Sequence, residues 1–197
     1  MKIILIFISL FLNLTLYSQD QKVKEDSIVN IIKNELHNKK VDNYLIYRIL
    51  DGFHYTYAGE SEESELVDYY RIYFLWELNG KFYIKKADNH NIFPEIEIDA
   101  NKIFNFVNKK LSKIEIERIK PLQQKYEGKI IDISSSDYGH YIISFNINSV
   151  IFSKKILSKE INYRDNYNYK YNNNLNIVKL KKMLNEVILN IEQENLF

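Results

Sequence analysis

The stretch VDYYRIYFLWELNGKFYIKKA, residues 67–87, decides the fold, because it predicts two strands joined by the strongest turn signal in the chain. Asn79-Gly80 favours a two-residue type I′ turn, since both central residues of that turn need a positive φ. This turn places Tyr83 opposite Trp76, whereas a three-residue loop places Ile84 there and exchanges the two faces of the second strand. The turn chemistry favours the two-residue turn, with both faces of the sheet partly covered.

Alternating and β-branched segments predict further strands around this hairpin, and segments with a 3.6-residue apolar period predict helices. The predicted strands are residues 44–50, 53–58, 129–133, 140–147 and 150–157. The predicted helices are residues 20–38, 99–118 and 175–192. Asp51-Gly52 predicts a hairpin between the first two of these strands, and residues 135–139 predict another hairpin. Asp99 is expected to be the N-cap of the second helix.

The order of these elements is helix, four strands, helix, three strands and helix. Strands joined by short turns are antiparallel, because a parallel return needs a crossover of about a dozen residues or more. We therefore predict an α+β fold, an antiparallel sheet of about six to seven strands with three helices packed on it. We expect one domain over residues 19–197, and degenerate halves at 20–88 and 99–157 stay open. The plan of residues 20–88, a helix and a four-stranded meander, is similar to that of cystatin-like folds.

The first eighteen residues, MKIILIFISLFLNLTLYS, predict an exported protein. Lys2 gives a positive start, a largely apolar run follows, and Ser18 is a small residue ahead of a polar stretch, which is the layout of a secretory signal peptide. The apolar run is short for a bilayer, which needs about 18–20 residues to span. We expect cleavage after Ser18, a soluble product in the periplasm or outside the cell, and no membrane span after cleavage.

Composition excludes several partners and chemistries. The chain has 27 basic and 26 acidic residues, so removing Lys2 with the leader leaves no net charge. A neutral chain has no general attraction to nucleic acid or to an anionic membrane surface. Since there is no cysteine, disulfides, thiolate metal sites and cysteine nucleophiles are excluded. No glycine-rich phosphate-binding motif occurs, and we expect no cofactor.

Two acid–histidine pairs are the candidates for catalysis. Asp88 and His90 follow a predicted strand, and Asp137 and His140 flank a glycine. A histidine beside a carboxylate can act as a general base. Asp, Asn and His are also common in ordinary turns, because they hydrogen-bond their own backbone. No histidine has zinc-site spacing to another, so we predict turns and no metal site here.

The stretch INYRDNYNYKYNNN, residues 161–174, is the first candidate for ligand binding. Alternation along an extended strand places Tyr167, Tyr169 and Tyr171 on one face. Tyrosine rings stack on a flat carbohydrate or peptide while their hydroxyls hydrogen-bond to it. A loosely ordered connection before the last helix is the alternative.

Glu60, Glu62, Glu63 and Glu65 form the second candidate, an acidic loop suited to docking on a basic partner. Their spacing does not match an EF-hand calcium loop, which also needs a glycine at its sharp turn. We therefore predict a solvated loop without a metal.

Three hypotheses follow. The leading one is an exported, non-catalytic binding module for an envelope protein, peptide or glycan. The second is an envelope-acting hydrolase that uses Asp88 with His90 or Asp137 with His140. The third is an inhibitor or immunity-type protein that docks through the acidic loop. Trp76, the sole tryptophan, is predicted to be a core residue rather than a ligand-stacking one.

Overall fold

The computed structural model describes residues 25–55, 66–133 and 139–197. The chain forms two compact units, residues 1–41 and residues 42–197. In the first unit, residues 25–38 form helix α1. Its buried side chains are Val29, Ile32 and Leu36, whereas Ile31 is 46% exposed. Helix α1 ends where Lys40 adopts a φ of 58° and the Val41 N–H donates to the Leu36 carbonyl oxygen, a left-handed helix end.

The described part of the second unit contains eight strands and four helices. The strands are β1 (Tyr44–Tyr55), β2 (Leu66–Leu78), β3 (Lys81–Asp88), β4 (Ile96–Ile98), β5 (Gln123–Tyr126), β6 (Lys129–Asp132), β7 (His140–Ile147) and β8 (Val150–Leu157). The helices are α2 (Asn101–Ile116), α3 (Ser158–Asn162), α4 (Tyr169–Asn174) and α5 (Asn176–Gln193). Across the described helices, none combines the length and the apolarity that crossing a bilayer requires.

Six strands form one antiparallel sheet in the order β4-β3-β2-β1-β7-β8. β5 and β6 form a separate antiparallel ribbon of two strands. The chain leaves the sheet after β4, forms α2 and the ribbon, and returns as β7 on the other side of β1. The predicted α+β class with an antiparallel sheet is confirmed.

The central hairpin has the register that the Asn79-Gly80 turn favours. Trp76 pairs with Tyr83 across β2 and β3, and the φ angles of 54° at Asn79 and 73° at Gly80 are those of a type I′ turn. The Trp76 side chain is 1% exposed, and its ring stacks on Tyr83 with 5.7 Å between ring centroids. The prediction that Trp76 is a core residue is confirmed.

Both faces of the sheet carry buried apolar side chains. One face, which includes Leu45, Leu75 and Phe145, shares a hydrophobic core with α2 and α5. Those helices contribute Ile103, Val107, Ile114, Ile177, Leu180, Leu184 and Ile188. On the opposite face Phe74 and Trp76 are buried as well.

The prediction of a hairpin at Asp51-Gly52 is wrong, because β1 runs through this dipeptide as one strand. The register with β2 shifts between Asp51 and His54, so a β-bulge absorbs the turn-forming residues. Pairing with the 13-residue β2 continues on both sides of the bulge and outweighs the local turn preference. The described residues within 20–88 therefore hold three strands, so the bounds of the four-stranded plan similar to cystatin-like folds are wrong. The fourth strand of the meander is β4.

The prediction of a hairpin between residues 129–133 and 140–147 is also wrong. β6 pairs with β5, and β7 pairs with β1. Glu127 and Gly128 have φ angles of 46° and 79°, so a tight two-residue turn ahead of β6 folds that strand back onto β5. β7 instead extends the main sheet, where its alternate side chains Ile143 and Phe145 are buried.

Neither of the two long helices of this unit is capped by the side chain of its own N-cap residue. Asp99 is not the N-cap of α2, because the helix begins at Asn101 after Ala100 and the Asp99 carboxylate accepts the Asn101 N–H. Helix α5 has Leu175 as its N-cap, with no side-chain cap. Glu117 lies just after α2, and its carboxylate caps α5 by accepting the N–H groups of Asn176 at 2.9 Å and Ile177 at 3.0 Å. These charge-assisted bonds satisfy amides that a helix start leaves open.

Candidate binding surface

The β5–β6 ribbon has no covered face. Ile130 and Ile131 are 49% and 40% exposed, and Tyr126 is 63% exposed. Because neighbouring residues of a strand point to opposite faces, exposure of both isoleucines means that β6 is uncovered on both sides. An isolated two-stranded hairpin is marginally stable in water. The rest of the unit must therefore hold the ribbon in place.

Asn172 anchors the chain that leads into the ribbon. Its side chain is 0% exposed, and its Oδ1 accepts the Lys120 N–H at 2.9 Å. Its Nδ2 donates to the carbonyl oxygens of Lys120 at 2.8 Å and Glu160 at 3.1 Å. One buried amide thus forms hydrogen bonds with three backbone groups.

Two more buried asparagines hold the first residues of β5. Asn166 Oδ1 accepts the Gln123 N–H at 3.1 Å. Asn168 Nδ2 donates to the Pro121 carbonyl oxygen at 3.1 Å and to Gln123 Oε1 at 2.8 Å. Both asparagine side chains are at most 5% exposed. The asparagine-rich stretch is therefore an ordered polar network, and the prediction of a loosely ordered connection is wrong.

Glu160 belongs to the same network. Its carbonyl oxygen accepts Nδ2 of Asn166 at 2.9 Å and Nδ2 of Asn172 at 3.1 Å. Its carboxylate accepts the Leu157 N–H at 3.1 Å. Burial raises the pKa of Glu160 above its ordinary value, and the bond from Leu157 opposes that rise.

The raised pKa of Glu160 predicts how its replacement responds to pH. A carboxyl whose pKa is higher in the folded state binds its proton more tightly there, so its contribution to stability is present below the unfolded pKa and is lost as pH rises through the folded pKa. Glu160→Gln cannot titrate, so its Tm is expected to rise relative to wild type between about pH 4 and about pH 7. Thermal unfolding of both proteins at the two pH values checks this. A Tm difference that stays constant, or that moves toward wild type, would contradict it.

The predicted strand containing Tyr167, Tyr169 and Tyr171 is wrong, because Tyr169–Asn174 form helix α4. Residues two apart on a helix do not share a face, so the three rings do not form one flat row. The Asn166 carboxamide accepts the Asn168 N–H at 3.0 Å, a local turn that competes with extended backbone. Tyr167 and Tyr171 are 60% and 43% exposed, while Tyr169 is half-buried. Their role in ligand binding stays a prediction.

The exposed tyrosines lie beside the ribbon. The Tyr163 hydroxyl accepts Nε2 of Gln124 in β5 at 3.0 Å, and the Tyr167 N–H donates to the Gln123 carbonyl oxygen at 2.7 Å. The Lys120 ammonium lies 4.3 Å from the centroid of the Tyr171 ring, a cation–π contact. We call the following exposed side chains the ribbon surface: Tyr126, Ile130, Ile131, Tyr163, Tyr167 and Tyr171.

The segments that form the ribbon surface are basic, although the whole chain has a formal net charge of only +1. Residues 118–132 and 163–171 hold six basic residues, which are Arg118, Lys120, Lys125, Lys129, Arg164 and Lys170. They hold three acidic residues, which are Glu127, Asp132 and Asp165. A local excess of positive charge favours an acidic partner and repels a basic one.

The outer edge of β6 offers backbone groups for hydrogen bonding. The N–H and C=O of Gln123 bond to Asn166 and Tyr167, so they point away from β6. Hydrogen-bonded and non-hydrogen-bonded pairs alternate along an antiparallel ladder. Gln123 pairs with Asp132, and Lys125 pairs with Ile130, so both pairs are non-hydrogen-bonded. The backbone N–H and C=O groups of Ile130 and Asp132 therefore point outward, on an edge that no other strand among the described residues occupies.

Asp88 forms a turn, as predicted. Its Oδ1 accepts the N–H groups of His90 and Asn91, each at 2.9 Å. Asp88 as a whole is only 6% exposed. The next side chain, Asn89, accepts the Tyr70 N–H at 2.9 Å. These contacts hold the end of β3 and account for the residue types of this cluster.

Most of the other residues predicted to form a site lie outside the described part of the chain. Asp137 and the acidic residues Glu60, Glu62, Glu63 and Glu65 lie outside the described residues, so their assignments stay predictions. His140 is the first residue of β7. Within residues 25–55, 66–133 and 139–197, no group of three histidines and carboxylates is placed to hold a metal ion.

Tyr126, Ile130 and Ile131 are the members of the surface that sequence reasoning missed. Ile130 and Ile131 were placed in the predicted strand at residues 129–133 and Tyr126 in no predicted element, and only the pairing of β6 with β5 exposes the three together. Comparison of the chain with protein-family models, with curated proteins and with solved structures finds no match.

Proposed function

We propose that this protein is exported and binds, without catalysis, an extended acidic peptide segment of another envelope protein. The leader at residues 1–18 supports export. The outer edge of β6, with its outward N–H and C=O groups, is the observation that supports peptide binding.

The chemistry of this edge favours the addition of a strand. An extended peptide that pairs with a sheet edge gains main-chain hydrogen bonds, and contacts to its alternate side chains give specificity. Proteins normally protect such edges, because they also invite aggregation. Here Ile130 and Ile131 supply apolar contacts on the two faces, and the surrounding lysines and arginines suit carboxylate side chains on the peptide.

Ile130→Pro tests this proposal directly. Proline removes the outward N–H of residue 130 and places its ring on the outer edge, while the ladder between β6 and β5 stays intact because that N–H takes no part in it. We expect at least about a 10-fold loss of affinity for acidic peptides, since a 10-fold change needs about 1.4 kcal/mol and one hydrogen bond contributes about that much. The probe is an array of eight-residue peptides that alternate valine with glutamate or lysine, followed by fluorescence anisotropy on the best binder.

Ile130→Ala is the matched control, because it removes the side chain and keeps the N–H. Its loss of affinity is expected to be smaller than that of Ile130→Pro. An unchanged affinity in Ile130→Pro would overturn the proposal, as would equal binding of the lysine peptides. Binding of oligogalacturonate instead, weakened by Tyr167→Ala and not by Ile130→Pro, would assign the surface to an acidic glycan.

A further inference from the structure

A cleft lies between the sheet and α5, and none of its lining residues belongs to the ribbon surface. It has a volume of about 240 Å³, with Arg71, Tyr141, Asn185 and Glu192 among its lining residues. All four side chains are partly exposed. Ile49 and Ile188 add buried aliphatic surface to its wall. A concave site with apolar walls and a few convergent polar groups is the usual form of a small-molecule site.

Buried tyrosines under the cleft hold its polar groups in position. The Tyr47 hydroxyl donates to Asn185 Oδ1 at 2.6 Å, so the amide Nδ2 of Asn185 points away from Tyr47. The Tyr73 hydroxyl donates to Glu192 Oε1 at 2.9 Å and accepts a hydrogen bond from the Arg71 side chain. Both tyrosine side chains are 0% exposed. Fixed side chains of this kind lower the ordering cost of binding.

The charges around the cleft favour an anion. Arg71 lines it, the Lys86 ammonium lies 3.4 Å from Glu192 Oε1, and the buried Lys181 ammonium lies 4.0 Å from the centroid of the Tyr141 ring. Glu192 supplies one negative charge. Lys86 offsets that charge, and Oδ1 of Asp88, which lies opposite Arg71 across β2 and β3, accepts the N–H groups of His90 and Asn91. Arg71 is therefore the cation among the lining residues of the cleft.

Tyr73 is held as a hydrogen-bond donor. Burial raises its pKa above the ordinary value, and the Glu192 carboxylate raises it further, while Arg71 opposes the rise. A protonated Tyr73 keeps one Glu192 oxygen occupied, and Lys86 shares that oxygen. The guanidinium of Arg71 is the cation at the cleft with the fork geometry that binds a carboxylate bidentately.

We propose that this cleft binds a small monocarboxylate with an apolar tail. The carboxylate takes hydrogen bonds from Arg71 and from Nδ2 of Asn185, and the tail lies against Ile49, Ile188 and the Tyr141 ring. The cleft volume of about 240 Å³ suits a molecule of the size of 3-phenylpropionate. This site is independent of the ribbon surface and of the peptide proposed there.

A calorimetric titration with 3-phenylpropionate tests the site, with 3-phenylpropionamide and acetate as matched probes. We expect the acid to bind at least about 10-fold more tightly than the amide, which keeps the tail and loses the charge. Acetate, which keeps the charge and loses the tail, is expected to bind at least about 10-fold more weakly than the acid. Equal binding of acid and amide, or no binding of the acid, would overturn the proposal.

Arg71→Gln is expected to weaken binding of the acid by at least about 10-fold, and Arg118→Gln, an exposed arginine outside the cleft, is expected to leave it unchanged. Because Arg71 also contacts Tyr73, Arg71→Lys serves as a second variant that keeps the charge and loses the fork. Amide chemical shifts at Tyr141 and Asn185 locate the ligand. Unchanged affinity in both Arg71 variants, or shifts confined to other residues, would reject the site.

Discussion

Replacement of Trp76 by alanine is expected to lower the free energy of unfolding by about 3–5 kcal/mol. The side chain is 1% exposed and lies in β2, which is paired on both sides by β1 and β3. Truncation removes the stacking contact with Tyr83 and leaves a cavity that paired strands on both sides keep from collapsing. Urea unfolding followed by far-UV circular dichroism measures the loss, since the variant has no tryptophan fluorescence.

Two variants control this experiment. Ile151→Ala truncates a side chain that is 77% exposed in the edge strand β8, and it is expected to change the free energy of unfolding by less than about 0.5 kcal/mol. Trp76→Phe keeps an aromatic ring and should fall between the two. A loss below about 1 kcal/mol in Trp76→Ala would mean that Trp76 is not a core residue.

Asn172→Ala is expected to lower the free energy of unfolding by about 2 kcal/mol or more, a large effect for a polar residue. The change leaves the N–H and C=O of Lys120 without this partner, while the C=O of Glu160 keeps its bond from Asn166. Each buried group left unsatisfied costs about 1–3 kcal/mol. Urea unfolding measures the total. Hydrogen exchange at Gln124 and Ile131, which form a hydrogen-bonded pair of the ribbon by the alternation argued above, reports whether the ribbon loosens first.

Asn174→Ala is the matched control, because Asn174 is an exposed asparagine in the same helix. It is expected to stay within about 0.5 kcal/mol of wild type. Asn172→Asp keeps the acceptor for the Lys120 N–H and loses both donated bonds. It therefore separates the contribution of the accepted hydrogen bond to stability from that of the two donated ones. Equal stability of Asn172→Ala and Asn174→Ala would remove the asparagine network as the support of the ribbon.

Features that depend on neighbouring residues were predictable. The type I′ turn at Asn79-Gly80 set the register of β2 and β3, because a turn that needs positive φ at two positions suits few dipeptides. Helix α5 followed from its apolar period, and its observed bounds, Asn176–Gln193, are within one residue of the prediction. The turn at Asp88 was predicted by the same kind of argument, because its carboxylate accepts the N–H groups of the residues two and three positions later.

The equally strong signal at Asp51-Gly52 failed for a physical reason. A turn preference amounts to about 1 kcal/mol or less, and the ladder with β2, which continues on both sides of the dipeptide, outweighs it. Long-range pairing also outweighed local preference when β6 paired with β5 and β7 paired with β1 in the main sheet. Which strands pair is a question of long-range contacts, and local preference does not contain that information.

The candidate sites show the same division. Tyr167 and Tyr171 were identified from composition, but a helix carries the second of them, and the exposed isoleucines beside them emerge only when β6 leaves the main sheet. Arg71 and Asn185 are 114 positions apart and meet at one cleft. Glu117 caps α5 from 59 residues away.

Turn dihedrals, apolar periodicity and hydrogen bonds from side chains to nearby backbone depend only on residues close together in the sequence. These short-range features determined the fold class, the central hairpin and the extent of α5. Strand partners, the polar network under the ribbon and both candidate sites were decided by the tertiary structure. They depend on buried groups that find hydrogen-bond partners across the fold, where leaving one unpaired costs more than any local preference gains.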